Sequence, residues 1–450
     1  MKKLLISLIM IFPIAYFLLL PQVPAENINY RYDALNRLEA ADYDDGSVIN
    51  YTYDEVGKRM SEHITYPLPY GQIEDLALFV ANNAVNIWVD KPGWGWPAAQ
   101  FSQKKYLFFF NCNYSGVDHT QEKGMRVVAG GVVKSGTEVW HKPRREPNAF
   151  VGQGYNLFFL EDMTGMEKSI QVQYKHKGAT SFKAKGFTAL YIDVTDLGDV
   201  SYQYAEAPLT GYLPGPSTYE DLISVLCTND GSDVLVMAYA LYQEGTEADR
   251  IHQRIFDGAT EYAYLRKGCF GDGSDFQTLL SSCVIPGWSG SKTIGLQAKC
   301  GRAQAVQKNY ARMLILKLNA FLGSRQVYSY PSQVVMVPEQ STWYNVGVLN
   351  GFEMPRTAPA LVFSYGPYLS DGDPNKTPQW QVLKNDVLDN AGNVADLPNR
   401  SDDYALCTRM FIRELTEGVS CDWKSQILEM NDADPDGYVN VLLAVIPLLR

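Results

Sequence analysis

Three groups of residues have types and spacing suited to chemistry. Asp432-Ala433-Asp434-Pro435-Asp436-Gly437 places carboxylates at alternate positions before a glycine, the first half of a calcium-loop pattern. Tyr438 offers a carbonyl at position seven and Asn440 a side-chain oxygen at position nine. Position twelve is Leu443, so the bidentate clamp of such loops is missing. Asp432, Asp434, Asp436, Tyr438 and Asn440 are thus a candidate calcium site, set against the plainer reading of a solvated acidic turn. Calcium is the one cofactor suggested, and none is required. A second acidic loop, Asp371-Gly372-Asp373-Pro374-Asn375, follows the pattern less closely.

Trp94-Gly95-Trp96, with Trp88 nearby, sets two indoles two residues apart. On a strand both fall on one face. An indole offers apolar area and a donor edge, so Trp88, Trp94 and Trp96 are candidates for laying against sugar rings. The competing reading is core packing around a tight corner.

For catalysis the inventory is thin. The five histidines, His63, His119, His141, His176 and His252, form no H-E-x-x-H and flank no G-x-S-x-G. Phosphate-binding glycine patterns are absent too. Glu161-Asp162 and Glu414 are the carboxylates for an acid/base pair of the glycosidase kind, a role that depends on spatial separation. Solvated strand edges are the plainer reading. The expectation is a protein that is not an enzyme.

These residues must be positioned by a chain of 450 residues, more than one core usually serves. It is 46% hydrophobic and 20% charged, a globular composition. A formal charge of −11 with no basic run argues against nucleic-acid binding. Lys2 and Lys3, the apolar run Leu4 to Leu20 and Val23-Pro24-Ala25 read as a signal peptide over residues 1–25, with a retained membrane anchor as the alternative. The mature chain is therefore expected to be secreted or held at a bacterial cell surface, touching membrane only through the leader. Seven cysteines suit an oxidising compartment. Cys269 with Cys283, Cys407 with Cys421 and Cys227 with Cys300 are candidate disulfides, with buried thiols as the alternative.

Strand-like runs bounded by turn residues recur at Leu76–Val80, Tyr106–Phe110, Met125–Val133, Tyr155–Leu160, Ile170–Tyr174 and Phe187–Val194. The plan then repeats at one constant offset. Lys168-Ser169-Ile170 meets Lys292-Thr293-Ile294, Lys175 meets Lys299, and Ala189–Val194 meets Met313–Leu318. A weaker third copy has Lys424-Ser425 before Ile427-Leu428 and closes on Val439 to Leu448. Pro-rich joints at Tyr212–Pro216 and Tyr330–Ser332 separate the copies. The fold class expected is all-β: a short ribbon at 26–66, then tandem jelly-roll-like sandwiches at 70–210, 217–332 and 336–450.

The ribbon carries a pattern written twice, Tyr30-Arg31-Tyr32-Asp33 and Tyr51-Thr52-Tyr53-Asp54, with Asp45-Gly46 between. The second copy continues with Gly57, and the first has Asn36 there. The segment resembles the YD repeat of the RHS family, over about residues 27–64. In that family many such units spiral into a shell enclosing a toxin; two units cannot close one, and a remnant serving as a spacer is the competing reading. The sandwiches resemble those of phage fibres and surface adhesins. The resulting expectation is a structural or surface protein that associates with itself, or with another surface protein, through unpaired strand edges into a filament or layer. The alternatives are a carbohydrate-binding adhesin taking a glycan, and an RHS-type toxin or hydrolase with its effector in the C-terminal third.

Overall fold

The computed structural model describes residues 28–43, 47–65, 67–116, 122–141, 153–178, 181–197, 201–243, 249–269, 276–301, 306–321, 326–329, 335–336, 343–354, 357–370, 379–389, 395–396, 403–428, 437–438 and 441–449. The chain divides into two compact units, Met1–Pro67 and Leu68–Arg450. The expected leader, the Asp45-Gly46 turn and both acidic loops but for Gly437–Tyr438 lie outside the described residues.

The first unit is an antiparallel sheet of four strands in chain order, Ile28–Tyr32, Leu38–Tyr43, Val48–Tyr53 and Arg59–Thr65. Each Tyr-x-Tyr-Asp block runs into a turn closed by its aspartate. Asp33 Oδ1 accepts from the amides of Leu35 and Arg37 at 2.9 Å each. Asp54 Oδ1 accepts from Val56 at 3.1 Å and Lys58 at 2.8 Å. Both turns need one left-handed residue, Asn36 at φ 58° and Gly57 at φ 86°. Asparagine tolerates that region better than most residues, so it stands in for the glycine. Arg37 lies over the Tyr53 ring at 4.7 Å, bridging the two blocks.

The second unit repeats one topology three times. In the first sandwich an inner sheet runs Gln153–Asp162, Lys105–Gly116, Phe182–Asp193, Tyr70–Asp75. Its outer layer runs Val139–His141, Lys123–Ala129, Ile170–His176, Val89–Trp96, and through Trp140 opposite Phe276 it is continuous with the inner sheet of the second sandwich. The second sandwich has the inner order Phe276–Ile285, Val234–Gln243, Gln307–Lys317, Tyr202–Pro208 and the outer order Glu261–Cys269, Asp249–Phe256, Ser289–Cys300, Glu220–Asp230. The third has Leu442–Pro447 between Ala358–Ser370 and Gln326–Ser329, with Asp403–Leu415 on the far side of Ala358–Ser370. Facing it, Cys421–Leu428 lies between Gln379–Lys384 and Trp343–Phe352. In each, the first strand pairs with the last and the sheets exchange strands along the chain, which is the jelly roll. The chain is therefore all-β, with β-sandwiches in tandem.

Of the strand expected at Leu76–Val80, Phe79 and Val80 belong to the strand Phe79–Ala81, whereas Leu76–Leu78 is a bend that separates it from Tyr70–Asp75, and Leu78 is exposed. The Pro-rich stretch Tyr212–Pro216 joins the first two strands of the second roll. Because first and last strands pair, Tyr202–Pro208 is already hydrogen-bonded to Gln307–Lys317.

The inner sheets are buried on both faces. In Val234–Gln243 every residue from Val234 to Tyr242 is buried. Val236, Ala238 and Ala240 face the second roll's own core, whereas Leu235, Met237, Tyr239 and Leu241 join a core shared with the first and third rolls. Ala360 and Val362 against Leu361, Phe363 and Tyr365 divide in the same way in the third roll. Gln153–Asp162 touches Phe276–Ile285 and Asp403–Leu415, and Phe276–Ile285 touches Gln326–Ser329 and Leu442–Pro447. Three inner sheets thus close on one another, which explains why their strands read as unbroken apolar runs. The outer sheets alternate cleanly, Ile170–His176 being buried at every second residue.

The expected disulfides are corrected. Cys112, Cys227, Cys283, Cys300 and Cys421 are buried free thiols. Cys227 sits opposite Lys292 and Cys300 opposite Ile251, at two ends of one strand pair about 27 Å apart. Cys283 and Cys269 belong to opposite sheets. Cys407 lies across from Gly366 in an inner sheet, whereas Cys421 pairs with Phe352 in the outer one.

Candidate functional site: the aromatic and basic face of the outer sheets

The three tryptophans singled out in the sequence do not come together. Trp94 is 1% exposed and Trp96 8%. Trp94 stacks on Phe187 with centroids 3.9 Å apart and donates Nε1 to Asp75 at 2.7 Å. Trp96 packs edge-on against Tyr191 and lies among Phe101, Phe108 and Phe110. Such pairs add about 1 kcal/mol each beyond burial, so both indoles are core. Trp88 has the same parity but faces outward. The pairing of Val89–Trp96 shifts register between Gln171 and Gln173, where Gly93 takes φ 81°, and that irregularity turns the strand over.

Trp88 instead meets Trp140, which sequence reasoning missed, at 5.1 Å edge to face. Both are half-buried and cover Gly124, where a Cβ would come within 2.9 Å of Trp88 and 3.0 Å of Trp140. Arg126 lies over Trp88 at 4.2 Å. Lys175 sits over Trp88 at 5.7 Å and over Trp140 at 5.1 Å, with Lys177 over Trp140 at 5.5 Å. Arg126 is pinned from two sides, Nε donating to Gln173 Oε1 at 2.7 Å and Nη1 to Glu138 Oε2 at 3.3 Å. Gln173 in turn donates to Asp90 Oδ1 at 2.8 Å.

The second roll carries the same arrangement at the same register. Arg254 lies over Tyr219 at 3.8 Å and Lys299 over the same ring at 4.5 Å. Arg254 Nε donates to Gln297 Oε1 at 2.8 Å and its Nη1 to Glu261 Oε2 at 3.4 Å. Gln297 donates to Asp221 Oδ1 at 2.7 Å. His252, beside these cations, is lowered to about 4 by burial and then by the charges of Lys299, Arg266 and Arg250. Its ring Nδ1 lies 2.5 Å from Tyr264 Oη.

The third roll keeps the ladder without the charge. Gln381 donates to Gln426 at 2.7 Å and Gln426 to Asn345 at 2.8 Å. Leu428 stands opposite Trp343, where the other rolls have a lysine beside the aromatic residue.

The acid/base carboxylates are separated and engaged. Glu161 is buried between Lys134, at 3.1 Å, and Lys168. Asp162 Oδ1 accepts from the Thr164 amide and hydroxyl at 2.9 and 2.6 Å, which holds it below the usual carboxylate range. Glu414 accepts from Tyr70 Oη at 2.8 Å; burial and this carboxylate push the phenol up to about 12. His176 is fully buried, and burial followed by Lys123 lowers its pKa. His119 and the side chains of His63 and His141 lie outside the described residues.

Of the candidate calcium ligands, Asp432, Asp434, Asp436 and Asn440 lie outside the described residues. Tyr438 is in the short strand Gly437–Tyr438, across from Val335 and Tyr368. Among the described residues no group of three or more His, Cys, Asp or Glu could hold a metal ion. Among them, also, no helix is long and apolar enough to cross a membrane.

No protein-family model and no curated protein matches the chain. Several solved structures show a faint likeness. The tandem CBM22-1-CBM22-2 domain of Xyn10C from Paenibacillus barcinonensis is 9% identical, covers 66% of this chain and 99% of its own, and has a TM-score of 0.18. BpGH86A, a β-porphyranase of glycoside hydrolase family 86 from Bacteroides plebeius, is 11% identical over 49% of this chain and 35% of its own, with a TM-score of 0.16. The infectious bursal disease virus Gx strain structure is 8% identical over 85% and 81%, with a TM-score of 0.20. At identities and TM-scores this low, none of these likenesses carries an argument about what this chain does.

Proposed function

We propose that this chain is a non-enzymatic, exported surface protein of structural character, whose ribbon joins it to further copies or to another surface protein. The observation that carries this reading is the division of labour among the sheets. The inner sheets of the three rolls are consumed by packing on one another. The four-stranded ribbon keeps two edge strands, Ile28–Tyr32 and Arg59–Thr65, with nothing hydrogen-bonded beyond them among the described residues. Tyr30 and Tyr32 on the first edge are 54% and 58% exposed. Unpaired edges of this kind are templates for strand addition. The paired Tyr-x-Tyr-Asp turns support assigning the ribbon to the YD type. The engagement of Glu161, Asp162 and Glu414 in local ion pairs and hydrogen bonds supports a non-catalytic role over the toxin or hydrolase alternative.

The test is sedimentation and electron microscopy of residues 26–450, with and without calcium, beside a chain lacking 27–64. Assembly that grows with concentration and disappears with the ribbon is the expected result. A monomer at every concentration overturns it.

A second reading, a carbohydrate-binding adhesin, is favoured by the half-exposed Trp88–Trp140 pair on the first roll. Retention on a glycan array that is lost in Trp140→Ala is its test.

A further inference from the structure

We infer that the outward faces of the first and second rolls each hold a binding site for an acidic polysaccharide, a chain of uronate-type sugars, and that the third roll has lost its copy. The inference deepens the carbohydrate-binding reading and rests on it.

The indole and phenol faces here are already covered. Arg126 over Trp88 and Arg254 over Tyr219 occupy the surface on which a neutral pyranose would lie. What each face presents outward is a guanidinium held flat by its ring, with Nε and Nη1 fixed by the Gln and Glu beside it. A planar cation immobilised in this way loses little freedom when its remaining N–H edge meets a carboxylate. Beside it stands a lysine, Lys175 or Lys299, that has no carboxylate partner among the described residues. A fixed fork and a free ammonium on a polar, half-exposed sheet suit a carboxylate flanked by hydroxyls.

The net charge of −11 argues for discrete recognition instead of general attraction to polyanions. The third roll supplies the contrast within one molecule. Its Gln381, Asn345 and Leu428 put uncharged side chains where the other rolls have Arg, Asp and Lys, while the Gln426 ladder stays. A feature needed only to hold the sheet together would have no reason to keep the ladder and shed the charges. The geometry therefore separates a structural part, the amide ladder, from a recognition part, the Arg and Lys.

The experiment is titration of the full chain with polygalacturonate oligomers, neutral glucan oligomers and single-stranded DNA. The variants copy the third roll, which shows that the fold accepts them: Arg126→Gln with Lys175→Leu, Arg254→Gln with Lys299→Leu, and all four together. The expected result is two uronate sites, one lost in each double variant, with affinity at the altered site down at least about tenfold, and none in the quadruple variant. Uronate binding unchanged in the quadruple variant overturns the inference, as does equal binding of DNA. Equal binding of neutral glucan by all variants leaves the carbohydrate reading standing and removes this one. No glycan binding of any kind removes both.

Discussion

Arg312 and Glu206 form an ion pair with Nε 2.9 Å from Oε2, on a residue whose guanidinium is wholly buried. The same guanidinium reaches the carbonyls of Ser135 and Gly136, so a side chain of the second roll is tied to a turn of the first. Burial alone would raise the Glu206 carboxyl. Hydrogen bonds from Arg312 and Tyr204 more than offset it and hold the group below its usual range.

Arg312→Met therefore removes the cation from a carboxylate and two carbonyls at once. Breaking one side of a buried pair costs about 3 kcal/mol, toward the low end of the range because Glu206 is partly solvated. Denaturant unfolding should show this loss, and the carboxyl of Glu206 should rise. A variant as stable as the wild type would mean that the tie contributes nothing net.

The ribbon turns depend on their aspartates and on one left-handed residue. Asp54→Ala leaves the Val56 and Lys58 amides without their acceptor and should destabilise the ribbon by about 1 kcal/mol, read as faster amide exchange over 48–65. Asn36→Gly should be neutral to within about 0.5 kcal/mol, because relief at φ 58° is offset by greater freedom in the unfolded chain.

His252 gives the second roll a pH dependence whose sign is fixed. Its ordinary value of 6.5 falls to about 4 in the fold, so folding favours the neutral ring. That contribution is complete above pH 6.5 and is lost as pH falls through 4. The stability of His252→Gln should decline less than that of the wild type over this interval. Parallel curves would show that the neighbouring cations do not act on the ring.

The buried thiols predict redox indifference. Burial pushes the Cys112 and Cys283 thiols far up, which makes them unreactive. Native protein should give no rapid reaction with a thiol reagent at Cys112, Cys227, Cys283, Cys300 or Cys421, and all five should titrate after denaturation. A melting temperature lowered by reductant would contradict this.

Much of the fold was legible from local pattern. Apolar alternation and turn residues mark the outer strands, and the constant offset from Lys175 to Lys299 follows one position of one sheet through two rolls. The aspartate turns of the ribbon were visible as Tyr-x-Tyr-Asp. What the chain by itself left open is which way a strand faces and what its ends meet. Trp88 and Trp94 have the same parity, and only the register shift at Gly93 sends one outward and the other into the core. Trp140 is remote from Trp88 in sequence and reaches it through pairing of Val139–His141 with Lys123–Ala129. The Pro-rich stretch Tyr212–Pro216 looks like a boundary because proline interrupts pairing locally. The boundary falls elsewhere, because a jelly roll pairs its first strand with its last, and long-range pairing of that kind leaves no local mark.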